Sequence, residues 1–147
     1  VIEARRRACA LALALYGARA PAWAAAPLEL QLQADSTGHF LARGRVNGRP
    51  VDFLVDTGAS AVTFSQAQAQ ALGLAWRDAP RARARTAAGS VEARLLELDE
   101  LRLGPLVARR VGAAVVPGPL APALLGNTFL ERYAWQRDGP VLRLRAR

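Results

Sequence analysis

The chain has 147 residues, 52% of them hydrophobic, and a formal net charge of +8; that length holds one ordinary domain with one core. All twenty basic residues are Arg, the one cysteine is Cys9 and the one histidine is His39, which excludes an intrachain disulfide and a metal site built from several histidines. A Ser/His/Asp triad could be built only around His39.

Residues 1–26 fall into three parts: basic Arg5-Arg6-Arg7, an apolar stretch over residues 8–16, and a small-residue end with Ala22-Trp23-Ala24 and Ala24-Ala25-Ala26. That is the order of a secretory signal peptide. Arg19 and Pro21 interrupt the apolar stretch and favour cleavage, with an uncleaved N-terminal anchor as the alternative. Cleavage predicts a body of residues 27–147 carried across the inner membrane to the periplasm, and membrane attachment only if the leader is retained. Arg5, Arg6, Arg7 and Arg19 less Glu3 carry +3 of the +8, so the body keeps +5, which is basic without being extreme.

After the leader, residues 28–33 alternate strictly between apolar and polar, as a half-buried strand does. Asp35-Ser36-Thr37-Gly38 turns the chain, a second strand covers residues 40–46, Asn47-Gly48 is a strong hairpin signal, and residues 50–55 return from it. Ser65 caps a short helix over residues 66–72 that Gly73 ends. Residues 81–86 and 91–98 flank Ala87-Ala88-Gly89-Ser90, a hairpin with its tip near Gly89. Residues 101–103, 107–116 and 141–144 add strands, Val116-Pro117-Gly118-Pro119 is a loop and Asp138-Gly139 a turn. Many short strands and little helix predict an all-β barrel or sandwich-like domain. Its terminal strands, residues 28–33 and 141–144, are expected to present unpaired edges.

The chemistry sits in Val55-Asp56-Thr57-Gly58-Ala59-Ser60, where an apolar strand delivers an acid onto a turn of small residues. Gly58 lets the backbone approach the carboxylate, and the hydroxyls of Thr57 and Ser60 can orient neighbouring groups. A structural turn acid is the plainer reading of Asp56, since Asp and Gly favour turns in any β protein. Ser65 lacks the G-x-S-x-G surroundings of a nucleophile and is read as a cap. His39 reads as a surface residue beside a turn.

Taken with Asn47-Gly48-Arg49-Pro50, Ala71-Leu72-Gly73-Leu74, Thr86-Ala87-Ala88-Gly89, Leu124-Leu125-Gly126-Asn127-Thr128-Phe129-Leu130 and Arg137-Asp138-Gly139, this motif resembles the bacterial single-domain group of retropepsin-like aspartic peptidases. The resemblance implies an all-β acid-protease barrel with one short helix and one lobe per chain, over residues 27–147. It implies that Asp56 is the catalytic acid and that its partner is Asp56 of a second, identical chain. The two carboxylates share a proton, one activating water while the other polarises the scissile carbonyl, with no metal and no cofactor. It further implies that Thr57 braces the paired turns, that Ala87, Ala88 and Gly89 form a flap over a peptide or protein substrate, and that Leu125 and Gly126 pack behind Thr57, Gly58, Ala59 and Ser60. Two features depart from the family pattern: the flap tip is Ala-Ala-Gly, and Asn127-Thr128 follows Gly126.

Arg81, Arg83 and Arg85 share one strand face, as do Arg143, Arg145 and Arg147. Such stripes face solvent, and without interleaved aromatics no nucleic-acid partner is expected. Two functions follow from different classes: a homodimeric endopeptidase, or a secreted binding or scaffold module that keeps the fold without turnover.

Overall fold

Each strand expected of the body does fold as a strand. The elements are β1 (Glu29–Gln33), β2 (Leu41–Val46), β3 (Arg49–Val55), β4 (Val62–Ser65), α1 (Gln66–Ala71), β5 (Arg81–Thr86), β6 (Gly89–Leu103), β7 (Leu106–Val116), β8 (Ala123–Leu125), α2 (Asn127–Leu130), β9 (Tyr133–Asp138) and β10 (Val141–Ala146). The computed structural model describes residues 28–86 and 89–147; the predicted leader, residues 1–26, and the predicted flap residues Ala87 and Ala88 lie outside the described residues.

Six strands, in the order β2, β3, β8, β4, β7, β6, close into a barrel because β2 pairs with β3 on one side and β6 on the other. Closure leaves no bare ladder in that ring. Phe53, Phe64, Leu98, Leu101, Leu103, Leu125 and Phe129 fill its interior at 0% exposure. The Phe53 and Phe64 ring centroids lie 6.1 Å apart, a separation aromatic pairs favour.

Turn chemistry fixes the registers. Asn47 and Gly48 take φ of 48° and 82°, the left-handed pair that joins two right-twisted strands in two residues. Asn47 also seals the barrel: its N–H donates to the Glu100 carbonyl at 2.9 Å, and its side-chain oxygen accepts from the Glu100 N–H at 2.9 Å. At α1 the Ser65 hydroxyl accepts from the Gln68 N–H at 3.1 Å, and the Gln68 side chain accepts from the Ser65 N–H at 2.9 Å. This reciprocal capping box starts the helix as expected, and Gly73 at φ 68° ends it. The Asp35 carboxylate accepts from the Thr37 hydroxyl at 2.6 Å and from the N–H groups of His39 and Thr37. Those bonds, the Thr37 hydroxyl first, hold its carboxyl below the ordinary carboxylate range.

β6 is one strand of 15 residues where the sequence suggests two. Leu98 and Leu101 are both fully buried although three residues apart, so the period of two breaks between them. Across the ladder Arg110 adopts φ 53°, a conformation costing a side-chain-bearing residue about 1–2 kcal/mol. The Arg132 guanidinium donates to the carbonyls of Arg109 at 2.5 Å, Arg110 at 2.6 Å and Thr128 at 3.1 Å. These charge-assisted bonds hold the kink in place.

A separate sheet has the order β1, β10, β9. Its inner face carries Leu30, Leu32, Leu142, Leu144 and Tyr133, and its outer face sets Glu29 opposite Arg145. Arg143 lies 3.9 Å from Glu29 and 3.7 Å from Asp138, so part of the C-terminal Arg stripe is ion-paired rather than merely solvated. The expectation of two unpaired terminal edges is corrected here. β10 pairs on both sides, and among the described residues the bare edges of this sheet belong to β1 and β9. A second short helix, α2, also joins the one expected.

Candidate active site

β3 ends in the barrel wall at Val55, and its partner β8 runs parallel to it with Val55 opposite Leu125. Both chains leave the barrel at the same end, which brings the Asp56 turn against the start of α2. The Asp56 N–H donates to the Leu125 carbonyl at 3.2 Å, and the Ala59 N–H closes the turn on the Asp56 carbonyl at 3.2 Å. One carboxylate oxygen of Asp56 accepts from the Gly58 N–H at 2.8 Å. A Cβ at Gly58 would stand 3.1 Å from that same oxygen, so glycine permits the close approach. Asp56 is half-buried, whereas Thr57, Gly58 and Ser60 are exposed.

From beneath, Gly126 fits where a Cβ would meet the Ala61 carbonyl oxygen at 2.2 Å and the Ala59 carbonyl oxygen at 2.7 Å. Leu125 and Gly126 therefore do stand behind the turn. Two residues whose part the sequence left open complete the support. The Asn127 N–H donates to the Ala59 carbonyl at 2.9 Å, and its side-chain NH₂ donates to the Thr57 carbonyl at 3.2 Å. The Thr128 hydroxyl accepts from the Val62 N–H at 3.0 Å and donates to the Gly112 carbonyl at 2.7 Å, joining the exit of the turn to β7. The hydroxyls of Thr57 and Ser60, expected to orient neighbours, make no hydrogen bond among the described residues.

At the exit of the turn, Ala61 packs against the hairpin of β5 and β6. Its outer face carries Arg81, Arg83 and Arg85, all exposed as expected. The other face is apolar: Ala84, Val91 and Ala93 pack with Ala61, Ala114, Val116 and Leu120. Gly89 pairs with Thr86 near the tip and has φ 111°, a conformation that favours glycine.

A cleft of about 880 Å³ lined by Leu41, Pro50, Val51, Leu72, Ala121 and Pro122 lies outside the β2–β3 hairpin and does not include Asp56. The cavity at the turn is smaller, about 300 Å³, and reaches Thr57 from the side of β9. His39 lies exposed at its rim, with its Nδ1 2.7 Å from the Thr37 hydroxyl, while Ser65 is buried and its hydroxyl is taken up by the cap of α1.

A closed barrel with an Asp-Thr-Gly turn braced by an apolar-Gly strand end is the single lobe of a retropepsin-like aspartic protease. The profile of the family described as "gag-polyprotein putative aspartyl protease" matches residues 42–132, more than half of the 147 residues, and the chain belongs to that family. It is similar to a retropepsin-like aspartic protease from Rickettsia conorii, with 30% identity and a TM-score of 0.71 over 80% of this chain and 90% of that one. It is also 36% identical over 108 residues to a Sinorhizobium protein named "Uncharacterized protein in cobV 5'region", a match that covers 70% of this chain. The chain spans only 45% of that relative's length.

Proposed function

We propose that the chain is an aspartic endopeptidase in which Asp56 of two copies meets at one site. The observation that carries this reading is the half-buried Asp56 carboxylate on an exposed turn held from below by Leu125, Gly126 and Asn127. A single chain supplies one Asp-Thr-Gly, so the second carboxylate comes from a symmetry mate. Two carboxylates so close share one proton; the ionised one takes a proton from a water, and the protonated one donates to the peptide carbonyl as the tetrahedral intermediate forms. Collapse of that intermediate returns the proton to the leaving amine. No step needs a metal or a covalent enzyme intermediate.

In this reading Thr57 braces the paired turns and the Ala87-Ala88-Gly89 tip closes over the substrate. Residues 1–26 act as a leader that sends residues 27–147 to the periplasm. The test is a peptide-library digest by the purified chain over a range of enzyme concentrations, with and without pepstatin. Pepstatin-sensitive cleavage, with specific activity falling on dilution, is expected. Peptide binding without cleavage at any concentration would make the chain a binding module instead.

Asn127 acts as a positioning residue in the same scheme. Asn127→Ala leaves the Thr57 carbonyl without its donor and loses a hydrogen bond worth about 1 kcal/mol. If that bond orients the acid, kcat falls roughly tenfold while KM and the pepstatin affinity change less. Steady-state kinetics beside a thermal melt check this; an unchanged kcat with a lowered Tm would leave Asn127 a purely structural part.

A further inference from the structure

The cleft of about 880 Å³ outside the β2–β3 hairpin has an apolar wall of Leu41, Val51, Leu72 and Pro122, in which Leu41 is 51% exposed. Two polar features of the same cleft are unmatched. The first is backbone. The two-residue turn at Asn47 and Gly48 makes Val46 and Arg49 a hydrogen-bonded pair, and such pairs alternate along an antiparallel ladder. At the far end the Val55 N–H donates to the Phe40 carbonyl at 2.9 Å, which keeps the alternation. Pro50, Asp52 and Leu54 therefore turn their backbone groups away from β2. β8 covers that side only along Phe53, Leu54 and Val55, so among the described residues no strand pairs there with Pro50 or Asp52, and both line the cleft. The second feature is Arg49, also in the lining. Its guanidinium donates to the Ala71 carbonyl at 3.1 Å and makes no ion pair among the described residues. Asp52, the acid of the cleft, is already taken by Arg43 at 3.3 Å.

We propose that this cleft is an exosite: it takes an extended segment of the substrate polypeptide, apolar and acidic by turns, laid as a short strand along Pro50 and Asp52 outside the stretch that is cut. The exosite role rests on the endopeptidase reading; the binding itself does not. A bare ladder calls for a backbone that donates to the Pro50 carbonyl and accepts from the Asp52 N–H, which a peptide has and an acyl chain lacks. Successive side chains of a strand face opposite ways, so its apolar residues can meet the wall of Leu41 and Leu72 while the others stay at the rim. An unmatched guanidinium calls for a carboxylate there. A basic segment would instead meet Arg43 and Arg49 with the one acid already paired. Position makes the occupant a substrate. Asp52 and Pro122 each stand one residue before the β3–β8 ladder begins and four before Asp56 and Gly126, about 13 Å along a strand. One polypeptide spans that distance in roughly four residues, so a segment held in the cleft raises the effective concentration of the scissile bond at Asp56.

The probe is a fluorescein-labelled hexapeptide alternating leucine and glutamate, added to the full-length Asp56→Asn chain so that it is not cut. Its anisotropy is expected to show saturable binding, about tenfold weaker when glutamine replaces the glutamates and lost when the probe backbone is N-methylated. Arg49→Gln keeps a donor for the Ala71 carbonyl and removes the charge; it should weaken the acidic probe about tenfold and leave the glutamine probe as it was. Leu41→Glu, at an exposed position, should weaken the acidic probe at least as much. Joined in turn to each end of a cleavable peptide, the same segment should lower KM about tenfold from one of the ends with kcat unchanged. That gain should vanish in an Arg49→Gln chain that retains Asp56, while the cleavable peptide alone is cut equally well by both. Absence of saturable binding to a chain with folded circular dichroism overturns the site, as does binding indifferent to both Arg49→Gln and Leu41→Glu. Equal binding of the N-methylated probe overturns the strand pairing. Binding with no gain in KM from either end overturns the exosite role alone. A chain that binds the probe at Arg49 and cuts no peptide overturns the endopeptidase reading and the exosite role, and leaves the binding site standing. Should Arg49→Gln fail to fold, Leu41→Glu decides.

Discussion

Asp56→Asn is expected to abolish peptide hydrolysis and to leave the fold in place. The substitution keeps the shape of the side chain and an oxygen for the Gly58 N–H, which donates to the carboxylate at 2.8 Å. The turn's other bonds, from Asp56 N–H to Leu125 and from Ala59 to the Asp56 carbonyl, are made by the backbone and do not depend on the side chain. What is lost is any group able to take the proton of a water, and in a homodimer it is lost twice. A positioned general acid or base contributes about 10²–10⁴-fold, so turnover should fall by at least that range while the thermal midpoint moves little. Excess Asp56→Asn chains should also suppress the wild-type enzyme, because mixed dimers carry one carboxylate. Turnover of the pure variant above a trace would remove Asp56 from the mechanism and return it to the role of a turn acid.

Local signals carried much of this architecture. The alternation that becomes β1, the Asn47-Gly48 turn, the Ser65 cap with Gln68 and the hairpin ending near Gly89 each rest on residues adjacent in sequence, and each appears in the structure. The parts that were not legible are those decided by distant partners. β8 is three residues long and follows a Pro-Gly-rich loop, and it is a strand only because β3 and β4 flank it. α2 has four residues and starts at Gly126 with no side-chain cap, so it carries no start signal. β9 lacks the alternation of a half-buried strand because five of its six residues are exposed. For that reason the sequence makes β10 look like an edge when it is the middle of its sheet.

The site divides in the same way. An apolar strand feeding Asp56 onto Thr57-Gly58-Ala59-Ser60 is a contiguous pattern, and it marks the turn. The bond from the Asn127 side chain to the Thr57 carbonyl spans 70 residues, and that from the Val62 N–H to the Thr128 hydroxyl spans 66; no spacing rule reaches so far. Asn127-Thr128 stood out as a departure from the family's pattern, which was the only sequence signal these two residues gave. The geometry turns that departure into a brace: one residue holds carbonyls on both sides of Gly58, and the next ties the exit of the turn to β7.

Gly126→Ala should cost more stability than any glycine replacement at a surface turn, and the reason is space rather than backbone conformation. Gly126 has φ −92° and ψ −173°, which any residue adopts. A methyl group there would stand 2.2 Å from the Ala61 carbonyl oxygen, 2.5 Å from its carbon and 2.7 Å from the Ala59 carbonyl oxygen. All three are backbone atoms, so no side chain can rotate to make room. Moving Ala59 breaks its bond from the Asn127 N–H at 2.9 Å, and moving Ala61 pulls on the Val62 N–H held by Thr128 at 3.0 Å. Overpacking commonly costs about 1–3 kcal/mol, and a contact this short against fixed backbone belongs at or above the top of that range. For a body of this size, each kcal/mol lowers Tm by roughly 2–8 °C, so a fall of about 10 °C or a failure to fold is expected. Gly139→Ala is the comparison: its φ of 55° is left-handed, but nothing lies within 4 Å of an added Cβ, so the cost is only the conformational term of about 1–2 kcal/mol. Thermal melts of the two variants side by side decide the matter. If Gly139→Ala is the more destabilised, the close packing of β8 beneath the Asp56 turn is not what holds that turn. If Gly126→Ala folds with a lowered Tm, it should also lose activity, because the same displacement shifts Ala59 and the acid it closes upon.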